Sequence, residues 1–477
     1  MSSSPPSIET EARSTRQTVA TVLRVLAPVA VFAVCLLLPA PDGLTPEGQA
    51  ALAVMCLAVI LWATETLHIA VTGIVGIVLL ILVGGVSDVG EALYGFSQPV
   101  AYFLIGILTL GMAVHRSGLA ERVSTLLMRG TGGNPVLLYI QMLFSFAALT
   151  FALPSASTRG AILVHIYEQV MESWDIPKDH SYHKAVMIAL GSLNRLGSTA
   201  LLAGGVTPVV ASGLLGDFSW GRWFILMSVP FYVNLIIGGT LLFLLYRSGF
   251  RVDADDGAQI LETGPITAVE VRAGAIALFT ALMWFTDFAH GLHPSVPALI
   301  AFCLILMPRV GVLNWRELEQ NLGWGNFIVI ASTLSLAHAL VSSGAAAWFS
   351  ESLVGWIGGL SSNPWLFLLA LCCCAAVVRS LLPNIAGYLA LVIPVAMAAG
   401  EAVGLNPLVC GMAIVVIGDT PVYYPAGSTS GVFIFERAAV RAIEVIRFGL
   451  IMTVVAIGTL FLLVLPFWSL VGEPLVN

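Results

Sequence analysis

Charged residues are scarce in this chain: 10% of its 477 residues are Asp, Glu, Lys or Arg, whereas 58% are hydrophobic and mean hydropathy is +0.95. A water-soluble domain of this size cannot cover its surface with so few charges, so the chain belongs in lipid. Cysteine chemistry is also missing. The seven cysteines (Cys35, Cys56, Cys303, Cys372, Cys373, Cys374 and Cys410) all lie in apolar segments without C-x-x-C spacing, which excludes a disulfide framework and a zinc centre. Neighbours in the run Cys372-Cys373-Cys374 point in different directions on a helix, so the run reads as packing rather than metal ligation. There is no H-E-x-x-H and no acid/base cluster within the apolar segments, which argues against a membrane-embedded enzyme. A net charge of −7 gives no reason to expect a nucleic-acid partner. The first apolar stretch lacks a good small-residue cleavage site, because Pro39-Ala40-Pro41 and an acidic turn follow it, so it is read as a membrane helix.

What the chain has in quantity is apolar length. Eleven segments suit a hydrocarbon layer about 30 Å thick: 25–39, 50–63, 69–83, 100–114, 186–215, 224–246, 273–288, 296–307, 327–340, 408–435 and 448–471. Two more, 136–171 and 365–399, are too long for one helix and carry a proline break, Leu153-Pro154-Ser155 and Leu382-Pro383-Asn384. That pattern predicts re-entrant hairpins. The expected fold is an all-α polytopic membrane protein of about 11 transmembrane helices plus two re-entrant helical hairpins. The expected domains are a cytoplasmic N-terminal segment 1–24, a first membrane half 25–247 with hairpin 136–171 and broken helix 186–215, a cytoplasmic linker 248–272, and a second half 273–477 with hairpin 365–399 and broken helix 408–435.

Charge placement tests this topology. With the N-terminus cytoplasmic and both hairpins re-entrant, 16 of the 20 Lys+Arg fall on cytoplasmic loops or helix ends, and one, Arg222, falls outside. Arg159, Arg195 and Arg379 lie within apolar segments, in the cores of the two halves, against one acid in the same cores, Asp419. Making either hairpin a full span would flip every later loop. The expectation is an inner-membrane protein with a cytoplasmic N-terminus and an extracytoplasmic C-terminus.

The two halves also repeat. Asn134-Pro135 and Asn363-Pro364 stand 229 positions apart, as do Leu153-Pro154 and Leu382-Pro383; Gly197-Ser198-Thr199 and Gly427-Ser428-Thr429 stand 230 apart, and Ser117-Gly118 and Ser343-Gly344 stand 226 apart. Five crossings separate the hairpins, so the second copy is inverted. Inverted repeats with broken helices are the architecture of secondary transporters, whose sites lie near the midplane; a channel would instead show a ring of polar positions from oligomeric symmetry.

Each half offers a hairpin tip and an interrupted helix: Ser155-Ala156-Ser157-Thr158-Arg159-Gly160 with Arg195-Leu196-Gly197-Ser198-Thr199, and Asn384-Ile385-Ala386-Gly387 with Pro425-Ala426-Gly427-Ser428-Thr429-Ser430. Half-helix N-termini and hydroxyls beside glycine donate to anions, which marks Ser155, Ser157, Thr158, Ser198, Thr199, Asn384, Ser428 and Thr429 as substrate contacts. Intramembrane charge is costly and points to function. Arg159 is the candidate carboxylate contact and Arg379 a second one, its alternative being an ion pair with Asp419 that only locks the fold. Arg195 reads as an anchor for the break, and His165 as a structural histidine. Freed carbonyls could hold sodium.

Trp62-Ala63-Thr64-Glu65 with Ala70-Val71-Thr72, the run Pro99-Val100-Ala101-Tyr102-Phe103-Leu104 ending in Ser117-Gly118-Leu119, and Arg447-Phe448-Gly449-Leu450 resemble landmarks of the divalent anion:sodium symporters, which carry dicarboxylates, citrate or sulfate; the similarity covers about residues 60 to 450. Pro154-Ser155 with Arg159-Gly160, and Ser198-Thr199-Ala200, look closer to its di- and tricarboxylate exchangers. The resemblance implies a small anionic substrate, no cofactor beyond sodium as coupling ion, a homodimer and an elevator mechanism. It also implies a sodium role for Ser155, Ala156, Gly197, Asn384 and Gly427. The chain departs from the family where Ala156 and Ile385 replace the signature asparagines of the two tips.

Overall fold

The computed structural model describes residues 26–128, 133–151, 153, 155–216, 218–252, 264–357, 359, 363–425 and 429–476. The first half holds α1 (Leu26–Leu37), α2 (Pro46–Thr64), α3 (Ile69–Leu82), α4 (Pro99–Arg116), α5 (Leu119–Met128), α6 (Pro135–Ala148), α7 (Ala156–Ser173), α8 (Ser181–Ile188), α9 (Asn194–Thr199), α10 (Val206–Leu215) and α11 (Trp220–Leu245). The second holds α12 (Ala268–Phe285), α13 (Ser295–Leu306), α14 (Trp324–Ser342), α15 (Ala345–Ile357), α16 (Pro364–Leu381), α17 (Ile385–Ala402), α18 (Pro407–Asp419), α19 (Thr429–Arg437) and α20 (Ala442–Thr459). Helix α20 continues through a π turn to Leu470. Among the described residues there is no strand beyond a single bridge between Leu405 and Val476.

Eight helices are long and apolar enough to cross a membrane, and six shorter apolar helices accompany them among the described residues. Among the described residues the protein is all-α and multi-pass, and every apolar segment expected from the sequence holds at least one helix.

Local chemistry explains where the helices begin and end. Asn134 and Asn363 each cap the first arm of a hairpin, accepting from the next two amides that follow proline, Val136 and Leu137 in one case and Trp365 and Leu366 in the other. Proline at the first helical position loses nothing, because that amide has no partner within the helix. Gly118 (φ +84°) and Gly344 (φ +75°) end α4 and α14 with the same left-handed turn, donating to the carbonyls of His115 and Val341. Repeated dipeptides thus form repeated caps.

Of the helices named above, α5 and α15 escaped the sequence reading, as did the short helices Val89–Ala92, Tyr94–Ser97 and Trp315–Asn321. α5 and α15 follow those glycine turns; α5 is amphipathic, and neither is long and apolar enough to cross a membrane. α5 is tied to α12 by Arg122, whose Nε lies 2.6 Å from Oε1 of Glu270.

The first broken helix also differs from expectation. Between α8 and α9 the chain forms a π turn over Ala189–Leu193, and it stays helical through Gly197-Ser198-Thr199. The interruption falls later, at 200–205, where the Leu201 amide donates to the Ser198 carbonyl at 3.0 Å. Gly204 folds so tightly onto that carbonyl that a Cβ would lie 1.8 Å from its oxygen. Only glycine fits there.

Two apolar cores result. The smaller gathers Val54, Ala58 and Trp62 of α2 with Leu80 of α3 and Leu336 and Leu340 of α14. The larger holds the hairpins and broken helices, where α17 packs on both α18 and α10 and so joins the halves.

Candidate functional site

Both proline-broken tips are helix N-termini capped by their own side chains. Ser155 starts α7 by accepting from the Thr158 amide at 3.2 Å, and Asn384 starts α17 by accepting from the Ala386 amide at 3.0 Å. Around them Ser157 is exposed, Thr158 and Ile385 are half-buried, and the Asn384 amide nitrogen is out of solvent with no acceptor among the described residues.

Arg159 is wholly buried and spends its donors on protein. Its Nε donates to Oδ1 of Asn194 at 2.7 Å, Nη1 to the Leu153 carbonyl at 2.9 Å, and Nη2 to the Asn194 carbonyl at 3.0 Å and to Oγ of Ser198. Asn194 also donates to the Ala156 carbonyl at 2.9 Å, so tip and broken helix are sewn together. Gly197 lets α9 approach α6; a Cβ would stand 2.4 Å from the Phe146 carbonyl oxygen.

The second half holds its tip by other means. Buried Arg379 donates from Nε to the Gly418 carbonyl at 2.8 Å and from Nη1 to the carbonyls of Leu382 and Pro383, with its Cζ 6.0 Å from the Tyr388 ring centroid. Gly427 and Ser428 lie outside the described residues, as does the side chain of Thr429.

Where the broken helices of the two halves meet, the charges pair differently from the sequence reading. Asp419, at the end of α18, bonds to Arg195 rather than Arg379: Nη1 of Arg195 lies 3.5 Å from its Oδ1. Thr199 donates to its Oδ2, and Thr207 donates to Oδ1 at 3.3 Å. Arg379 instead donates from Nε and Nη1 to backbone carbonyls, those of Leu382 and Pro383 past the end of α16 and that of Gly418 in α18. Arg195 further donates from Nη2 to the Pro421 carbonyl at 2.5 Å, while its Nε is buried without a partner among the described residues.

The structure therefore brings Arg159 and Ser198 into contact, and Thr199 onto Asp419, while Ser155 and Asn384 cap their own helices. Sequence reasoning passed over Asn194, Thr207 and the pairing of Arg195; an asparagine beside an arginine inside an apolar run was the available signal for the first. His165 is exposed, with Nδ1 3.3 Å from Nη1 of Arg437. Cys372 is buried but Cys373 and Cys374 are exposed, and no group of three metal-ligating side chains occurs among the described residues.

The chain resembles known transporters along nearly its whole length. A family model described as "Sodium:sulfate symporter transmembrane region" matches residues 19–473. The L-tartrate/succinate antiporter of Escherichia coli K12 is 23% identical over 453 residues, covering 85% of this chain and 91% of that protein. A protein of Cupriavidus necator named only as a membrane protein is 26% identical over 373 residues, 72% of each chain. Among solved structures, the Alcanivorax borkumensis YdaH transporter has a similar fold, with a TM-score of 0.52 and 14% identity, covering 91% of this chain and all of that one. The chain is thus a transporter rather than an enzyme, and it belongs to the sodium:sulfate symporter family, the divalent anion:sodium symporters.

Proposed function

We propose that this protein exchanges small di- or tricarboxylates, such as succinate, malate or citrate, across the inner membrane. The observation that carries the reading is the occupation of both tips by arginine. The carbonyls of Leu153, Asn194, Leu382 and Gly418 and the hydroxyl of Ser198 accept from guanidinium groups. A sodium ion needs such oxygens with lone pairs turned toward it, and here it would also sit beside a fixed positive charge. Those same charges, with Arg195 against the single Asp419, leave the region net positive, as a dianion requires. The antiporter named above supports exchange.

In this reading the N-terminus is cytoplasmic, the halves are inverted repeats whose hairpins enter from opposite faces, and the C-terminus is extracytoplasmic. The family resemblance adds a homodimer in which the site moves as an elevator. The contacts proposed for substrate are Ser155, Ser157, Thr158, Ser198, Asn384, Ser428 and Thr429, with Arg159 and Arg379 holding the tips in place.

The test is uptake of labelled succinate, citrate and sulfate into proteoliposomes, with sodium or proton gradients imposed separately and with or without internal counter-anion. Exchange predicts uptake that needs internal anion and is flat in sodium. Steep sodium dependence without internal anion, with a Hill coefficient well above one, overturns exchange. Transport of sulfate, a sulfonate or a monocarboxylate in preference to dicarboxylates overturns the substrate class.

A further inference from the structure

Of the three arginines buried among the described residues, Arg195 stands apart in its bonding. Arg159 has all three of its nitrogens bonded to protein oxygens. Arg195, only 9% exposed, keeps a buried Nε–H that no described residue accepts. Leaving a charged donor unmade out of water is costly. Such a defect is stable at a binding site because the acceptor arrives with the ligand.

Its surroundings fit that role. Arg195 lies on α9 of the first half, one turn from Thr199, and its ion pair reaches across to α18 of the second. The pair is loose: the 3.5 Å separation from Asp419 is longer than a charge-assisted hydrogen bond, typically about 2.7–2.9 Å. Asp419 does not depend on it, because Thr199 and Thr207 both donate to the carboxylate. A carboxylate from outside can therefore compete for the guanidinium without stranding Asp419.

We propose that Arg195 is the residue that binds a substrate carboxylate, and that Asp419 is the built-in competitor occupying its charge in the empty site. On substrate entry the ligand carboxylate takes the free Nε–H, and Asp419 stays on its two threonines. The competitor sets selectivity: it repels surplus negative charge, so a trianion is held less well than a dianion. This inference rests on the proposed carboxylate exchange, and wild-type exchange activity is the control that separates the two. Absence of any dicarboxylate exchange by wild type defeats the function; normal wild-type exchange with the outcomes below reversed defeats only the role of Arg195.

Three variants decide it, each assayed for exchange kinetics in proteoliposomes and for the thermal shift produced by succinate or citrate in detergent. Asp419→Asn removes the competitor's charge while one threonine still donates to its Oδ1 and the other can accept from its Nδ2; the expected result is a KM several-fold lower, with citrate gaining more than succinate. Arg195→Lys is expected to raise KM at least tenfold. Arg195→Met with Asp419→Asn removes the pair without leaving a bare charge; folded protein with no ligand-induced shift is expected. Wild-type KM in Asp419→Asn, or restored transport in the double variant, overturns the proposal, because a purely structural pair predicts both. Should the double variant not fold, the direction of the KM change in Asp419→Asn alone decides.

Discussion

Arg159 and Arg379 occupy unmatched positions in the two halves, yet each donates to the carbonyl of a matched leucine, Leu153 in one tip and Leu382 in the other. The position equivalent to Arg159 is Tyr388, whose ring lies under the Arg379 guanidinium. One half sends its arginine from the hairpin's second arm, the other from its first. The position of the positive charge is shared, although the residue carrying it is not.

If these guanidiniums are braces, their loss is felt without substrate. Arg159→Lys and Arg379→Lys replace a planar fork by a point charge and leave buried carbonyls unmet, for an expected loss of about 3 kcal/mol of stability each. Arg159→Ala is expected to abolish transport while protein still reaches the membrane. Thermal unfolding in detergent is the measurement, and unchanged stability of the empty protein would reassign Arg159 to substrate contact.

Two glycines should respond differently to alanine. At Gly344 the space is open and only the left-handed φ of +75° is strained, so Gly344→Ala should cost about 1 kcal/mol and Gly344→Asn less. Gly204→Ala drives a Cβ into the Ser198 carbonyl, which is backbone and cannot yield; a loss of about 3 kcal/mol and of transport is expected. Equal tolerance at both sites would contradict the described turn at 200–205.

His183, just ahead of the apolar run 186–215, should make stability pH-dependent. Burial, with Lys178 and His180 nearby, pushes its pKa down to about 4. The unfolded chain titrates near 6.5 and so binds more protons between those values. This contribution is present above pH 6.5 and is lost as the pH falls toward 4. Melting temperature followed from pH 7 to 4 should show the decline, and His183→Gln should flatten it.

Labelling of single cysteines tests the inversion. A cysteine at Asp175 should react only from the cytoplasm and one at Ser361 only from outside. Both reacting from one side would remove the basis for hairpins that enter from opposite faces.

The apolar helices, the proline breaks between paired arms and the repeated caps were legible because each rests on a local rule: hydrocarbon length, proline between apolar arms, Asn-Pro at a start, Ser-Gly at an end. α5 and α15 were not, since helices of 10 and 13 residues lack the apolar length that a hydropathy reading detects. Within the site, Arg159, Ser198, Thr199 and Asp419 could be picked out as polar residues inside apolar runs. Their pairing could not. Whether Asp419 meets Arg379 or Arg195 depends on how α18 crosses α9, and that is set by packing between residues more than 200 positions apart.

The π turn at Ala189–Leu193 has a consequence for comparing relatives. A π turn holds one more residue than an α turn, so everything after it is rotated by about 100° relative to an unbroken helix. Asn194, Arg195 and Thr199 owe their facing to that extra residue. In a relative whose helix is regular here, an ungapped alignment will set Arg195 against a side chain on a different face, and a basic residue one column away is then its true counterpart. Deleting any one residue from 189–193 should likewise turn Asn194 from Arg159 and Thr199 from Asp419 together, disabling both contacts through an edit that touches neither.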